Sequence, residues 1–185
     1  MKRLTVLLLL VCLLPGCESA SQELERGLKL RDRLLSSGCR FDVDITADYG
    51  DILHTFSMNC QTDDKGDMRF TVTKPETISG ITGSITHEGG NLTFDDKVLQ
   101  FELLTDDLIS PVSSPWILIK TLRGGYLRIA GMEEEFLRLT IDDSYEEGAL
   151  TLDIWLNTAD VPVRGEICWD GRRILTMDVT NFEIL

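Results

Sequence analysis

Histidine is nearly absent from this chain: His54 and His87 are the only two in 185 residues. Imidazole-rich metal sites and most histidine-dependent catalytic constellations therefore have little material to work with. Basic side chains are also scarce, 18 against 31 acidic ones, for a formal net charge of −13. Phosphate backbones require a concentrated positive surface, so nucleic acid is excluded as a partner. Missing as well are G-x-S-x-G, H-E-x-x-H, the G-x-x-x-x-G-K-[ST] loop and C-x-x-C. The common nucleophilic, zinc, nucleotide and thioredoxin readings lose their residues with them. No catalytic residue, metal site or cofactor is expected, and the chain does not read as an enzyme. The acidic pairs fall mainly at turns, as a hydrated surface; 63–67, which carries Gly66, is the one run where a calcium ion is worth looking for. No repeat of 20–50 residues and no low-complexity linker divides the chain, which suits one domain.

What is present begins with an address. Met1-Lys2-Arg3 is a short positive start, followed by an apolar stretch over 4–14. A helix needs roughly 20 residues to cross a bilayer, so this run is too short to span and has the length of a secretory signal core. Leu14-Pro15-Gly16-Cys17 then resembles the bacterial lipoprotein box, with Pro15 as its one unusual residue. The expectation is a signal peptide over 1–16, a lipid-modified Cys17, and an extracytoplasmic body tethered to the cell membrane. Two acyl chains hold a protein there, where one of myristoyl size binds only marginally. Loss of Lys2 and Arg3 leaves the exported body two units more negative than the whole chain.

Residues 17–38 form the tether and an amphipathic helix: over 19–37, Leu24, Leu28, Arg31 and Leu35 share one stripe with Leu34 beside it. Gly27 weakens that helix by about 1 kcal/mol relative to alanine, so packing must hold it. Residues 39–48 and 51–60 then alternate strictly around Asp48-Tyr49-Gly50-Asp51, a hairpin with a two-residue loop. This register sets Cys39 opposite Cys60, Phe41 opposite Met58, Val43 opposite Phe56, Ile45 opposite His54 and Ala47 opposite Ile52. One face is apolar, and His54 on it reads as a core histidine. Non-hydrogen-bonded pairs bring Cα atoms to about 4.5 Å, within disulfide reach. Cys39 and Cys60 are thus either an oxidised staple or two buried thiols, and Cys168 is a core residue without a partner.

Further strands are expected at 68–74, 77–81, 84–87, 91–95 and 98–103, then at 126–130, 135–142, 149–157, 161–169 and 173–184. Between the two groups, Ser114-Pro115 opens and Gly124 closes a short helix near 115–123 that is apolar almost all round. Such a helix must be covered on more than one side. The predicted class is mainly β with helices, a single α+β domain over 39–185. Phe41, Val43, Ile45, Ile52, Phe56, Met58, Trp116 and Leu118 either line an apolar cavity between sheet and helix or fill that space themselves.

The order of these parts, with Pro162-x-x-x-Glu166-Ile167 and Asn181-Phe182-x-Ile184 in the closing strands, resembles the LolA/LolB-type lipoprotein carrier superfamily. The resemblance implies a curved antiparallel half-barrel of about 9–11 strands with helices in its mouth and an apolar cavity for acyl chains. It does not assign the carriers' functional arginine, for which Arg40, Arg69 and others are equal candidates. Clostridial spore-germination lipoproteins are similar in architecture, and there the surface binds a partner protein. Two functions follow as expectations: binding of lipid or lipoprotein acyl chains, or a tethered adaptor docking an envelope or germination protein through a strand edge. A strand-swapped dimer is compatible with either.

Overall fold

The computed structural model describes residues 18–95, 97–101, 104–105, 108–146 and 148–185; the expected signal peptide 1–16 and lipid site Cys17 lie outside them. The alternating segments pair into β1 (Cys39–Asp48), β2 (Leu53–Thr62), β3 (Met68–Lys74), β4 (Thr82–Thr86), β5 (Gly89–Phe94) and β6 (Lys97–Phe101). The chain then passes through a small hairpin, β7 (Leu104–Thr105) with β8 (Leu108–Ile109). It returns as β9 (Tyr126–Glu133), β10 (Phe136–Asp142), β11 (Thr151–Leu156), β12 (Pro162–Trp169) and β13 (Arg172–Ile184). Eleven of these form one antiparallel sheet in the order β6-β5-β4-β3-β2-β1-β13-β12-β11-β10-β9. β13 pairs with β1, so the two meanders join at their far ends, and β6 and β9 remain as free edges. This is the open α+β half-barrel that the resemblance implies.

Two helices cover its inner face: α1 (Glu18–Ser36) and α2 (Ser114–Gly124). Among the described residues no helix is long and apolar enough to cross a membrane. α2 follows its start and stop signals closely. Pro115 stands in its first turn, and the Gly125 N–H closes it on the Thr121 carbonyl at 2.8 Å. α1 is rotated from the expected stripe. Leu30 and Leu34 are buried while Leu24, Leu28 and Leu35 face solvent. The reason is Gly27, which lies against β10: a Cβ there would stand 3.1 Å from a methyl of Leu139. The helix docks on the residue with no side chain, because that gives the closest approach to the sheet.

The β1–β2 register also differs from expectation, by two residues. Cys39 faces Thr62, Phe41 faces Cys60, Val43 faces Met58, Ile45 faces Phe56 and Ala47 faces His54. The Asp48 carboxylate accepts the Gly50 N–H at 2.8 Å, and Tyr49 N–H bonds the Ile52 carbonyl, so the loop has four residues, 49–52. A shift of two preserves which face each side chain occupies, so the apolar row stays inside while its pairing changes. Ile52 falls in the loop, 55% exposed, and His54 is exposed at the mouth of β2 rather than in the core. Cys39 and Cys60 are buried free thiols, with Cys39 Sγ 3.2 Å from the Thr62 hydroxyl. Cys168, expected in the core, is half-buried. The strand expected at 77–81 is instead a single 3₁₀ turn, Glu76–Ile78, entered from Pro75.

Candidate functional site

The inner wall is read most clearly along one cross-strand row. Phe41 on β1 faces Cys60, which faces Phe70, then Gly83, Leu92 and finally Leu99 on β6. All belong to the inner face, and all are apolar. Phe41, Cys60 and Phe70 are buried, Leu92 is partly buried, and Leu99 is 64% exposed, with Phe94 beside it at 58%. Two glycines keep this wall thin: a Cβ on Gly83 would collide with the Phe70 ring and one on Gly90 with the Phe101 ring. The tip of each ring lies over the glycine of a neighbouring strand.

At the centre of the wall the described side chains are buried against one another. Phe41, Val43, Ile45, Phe56, Met58, Trp116 and Leu118, expected to border a cavity or to fill it, all sit in one continuous buried core. Leu118 of α2 packs onto Gly165 of β12, where a Cβ would stand 3.2 Å from it and 3.1 Å from Met177. Ile52, on the loop, takes no part.

The helices over this core are tied to one another by reciprocal polar contacts. Arg31 of α1 donates to the carbonyls of Leu122 (2.8 Å) and Gly125 (2.7 Å) at the end of α2. Arg123 of α2 donates to the Leu34 carbonyl at the end of α1 and to the Asp64 carbonyl (2.7 Å). Each arginine satisfies carbonyls that a helix terminus leaves open, and each meets the negative end of the other helix dipole. Burial pulls the Arg31 guanidinium below its ordinary range against the opposing charge of Asp32. Trp116 Nε1 donates to the Gly66 carbonyl at 3.1 Å, and Arg26 meets Asp160 at 2.7 Å.

A second concavity, of about 810 Å³, lies on the outer face of β13 and β1–β5. Arg40 donates to Glu183 there, and Asp42 accepts from both Asn59 and Asn181. Arg69 lines the same groove. Arg40 and Arg69, two of the candidates for a carrier role, thus face away from the apolar wall. The Asp63 carboxylate accepts the N–H groups of Lys65, Gly66 and Asp67 at 2.9–3.0 Å. Although desolvation raises its pKa, these backbone bonds hold it below the usual range, and the 63–67 run is a hydrogen-bonded turn. The two histidines sit apart, His87 with its ring edge-on to Trp116 at 5.4 Å.

Sequence reasoning did not single out Leu92, Phe94 and Leu99. The signal was there in the apolar residues on either side of the tight β5–β6 connection, where Phe94 stands opposite Lys97 and hence Leu92 opposite Leu99.

No family profile matches the chain, and no curated protein matches it. Among solved structures it is similar to an uncharacterized conserved protein from Thermus thermophilus, at 14% identity and TM-score 0.49, covering 91% of this chain and 88% of that one. It is similar also to a LolA superfamily protein from Nitrosomonas europaea (7% identity, TM-score 0.44, 90% and 94% covered). A third likeness is to the Mycobacterium tuberculosis lipoprotein LppX (10%, 0.43, 90% and 96%). These likenesses are of fold alone.

Proposed function

We propose that this is a non-catalytic extracytoplasmic lipoprotein, tethered through Cys17, whose inner wall holds acyl chains of a lipid or lipoprotein. One observation carries the reading. The apolar row from Phe41 to Leu99 runs from the buried core to the sheet edge, leaving Phe94 and Leu99 exposed at the β5–β6 end. Exposed apolar surface continuous with a core marks a binding surface, and each CH₂ withdrawn from water there contributes about 0.8 kcal/mol. The chain enters at this rim.

The test is the lipid retained non-covalently by the full-length protein after purification, measured by mass spectrometry for wild type, Leu99→Asp and the outer-face control Thr93→Asp. Wild type and the control are expected to carry lipid beyond any covalent anchor, and Leu99→Asp to lose most of it. Equal retention in all three contradicts the reading.

A second reading, a docking strand for a protein partner, draws on Val98. It lies on the outer face of the edge strand β6, 67% exposed, where an inner-wall acyl chain makes no use of it. Unpaired strand edges accept an added strand. Under that reading Val98→Asp abolishes association while leaving lipid retention intact.

A further inference from the structure

Away from the apolar wall, positive groups gather where α2 meets the β2–β3 and β4–β5 turns. Lys65, His87, Lys120 and Arg123 line a cavity of about 300 Å³ there, with Trp116 and Thr121 in its wall. In a chain with 31 acidic side chains, Lys65, Lys120 and Arg123 form no ion pair among the described residues. The one carboxylate in the lining, Asp143, already accepts the Leu150 N–H at 2.8 Å. Arg123 is fixed by its two carbonyl acceptors, and Lys120 lies over the Trp116 ring, 5.5 Å from its centroid. These cations are therefore partly ordered before any ligand arrives.

Two further features favour an anion. The end of a helix normally repels negative charge, but here Arg31 occupies the Leu122 and Gly125 carbonyls. Thr121 is 1% exposed, and its hydroxyl oxygen is the buried side-chain polar atom left without a hydrogen-bond partner among the described residues. Buried polar atoms in native structures are seldom left unpaired, and Thr121 is one of the residues that line this cavity.

We infer that this cavity binds a phosphate group, with Lys65, Lys120 and Arg123 supplying charge and the Thr121 hydroxyl a hydrogen bond. The volume suits a phosphate with a glyceryl-sized substituent. Leu35, half-exposed at the rim, gives an apolar tail a surface to follow. The phosphate belongs either to a lipid headgroup or to a free phosphomonoester. The site is separate from the acyl-chain rim at Phe94 and Leu99 and stands without it.

The full-length protein is titrated calorimetrically with sn-glycerol 3-phosphate. It is also floated with phosphatidylcholine vesicles with and without phosphatidylglycerol. Lys65→Gln/Lys120→Gln and Thr121→Val are compared with wild type, with thermal midpoints to verify folding. The double variant is expected to bind about tenfold more weakly, and Thr121→Val several-fold more weakly with no loss of stability. If the double variant is poorly folded, Lys65→Gln alone serves, because Lys65 is exposed. Binding to phosphatidylglycerol vesicles alone assigns the phosphate to a lipid, and binding of glycerol phosphate as well assigns it to the free ion. The inference is overturned if wild type binds neither, or if the variants bind as tightly as wild type.

Discussion

Phe70 and Leu99 stand in the same cross-strand row, three strands apart, and only the first is buried. Both strands alternate, both present apolar residues to the inner face, and both belong to one meander. The difference lies in what covers them. α1 packs on β9 and α2 on β10 and β13, with contacts such as Leu118 on Gly165 beneath them. At β5 and β6 Leu92 and Phe101 still pack against the core, whereas Phe94 and Leu99 are left to solvent. A half-barrel thus carries two regions of one chemistry, one spent on stability and one available to a ligand.

The sharpest way to break that comparison is truncation in each region. Leu118→Ala is expected to cost about 3 kcal/mol in denaturant unfolding, as a large-to-small change in a filled core. A loss below about 1 kcal/mol would mean that the space around α2 is loose. Next come the reciprocal helix contacts. Arg31→Met and Arg123→Met each strand carbonyls of the opposite helix and are expected to cost about 1–3 kcal/mol. Each also makes α1 more susceptible to limited proteolysis.

The two thiols under α1 and α2 offer a smaller, pH-dependent effect. Burial raises both, pushing Cys39 up to about 11 against the opposing influences of Thr62 and Arg123. Unfolded thiols ionise near about 8.5. Above that pH the unfolded state binds fewer protons than the folded one, so stability falls as pH rises from about 8.5 to about 11. The slope is at most about 1.4 kcal/mol per pH unit for each thiol. Unfolding measured across that window is expected to show this decline and to lose most of it in Cys39→Ala/Cys60→Ala. Smallest of all, Leu99→Ala is expected to change stability by less than about 0.5 kcal/mol. A larger loss would place Leu99 in the stabilising region after all.

What the amino-acid order reveals follows the same division. Alternation determines faces, and it placed Phe41, Val43, Ile45, Phe56 and Met58 inside. It does not determine pairing, because a slip of two residues leaves every face unchanged; the Asp48–Gly50 bond chose the longer loop and separated Cys39 from Cys60. Leucine spacing suggested the wrong face of α1, since periodicity counts side chains and Gly27 acts by having none. Ser114-Pro115 and Gly124 marked α2 to within a residue because those signals act locally. The basic cavity was invisible, since its residues come from separate turns and a helix that only the folded sheet brings together.

The most direct measurement is to load the full-length protein with a fatty acid carrying a photoactivatable group at its chain end, irradiate, and map the adducts by peptide mass spectrometry. Adducts on Leu92, Phe94 and Leu99, lost together in Leu99→Asp, are the expected result. Adducts confined to Val98, Thr93 and the rest of the outer face, or none at all, would contradict an acyl-chain site on the inner wall.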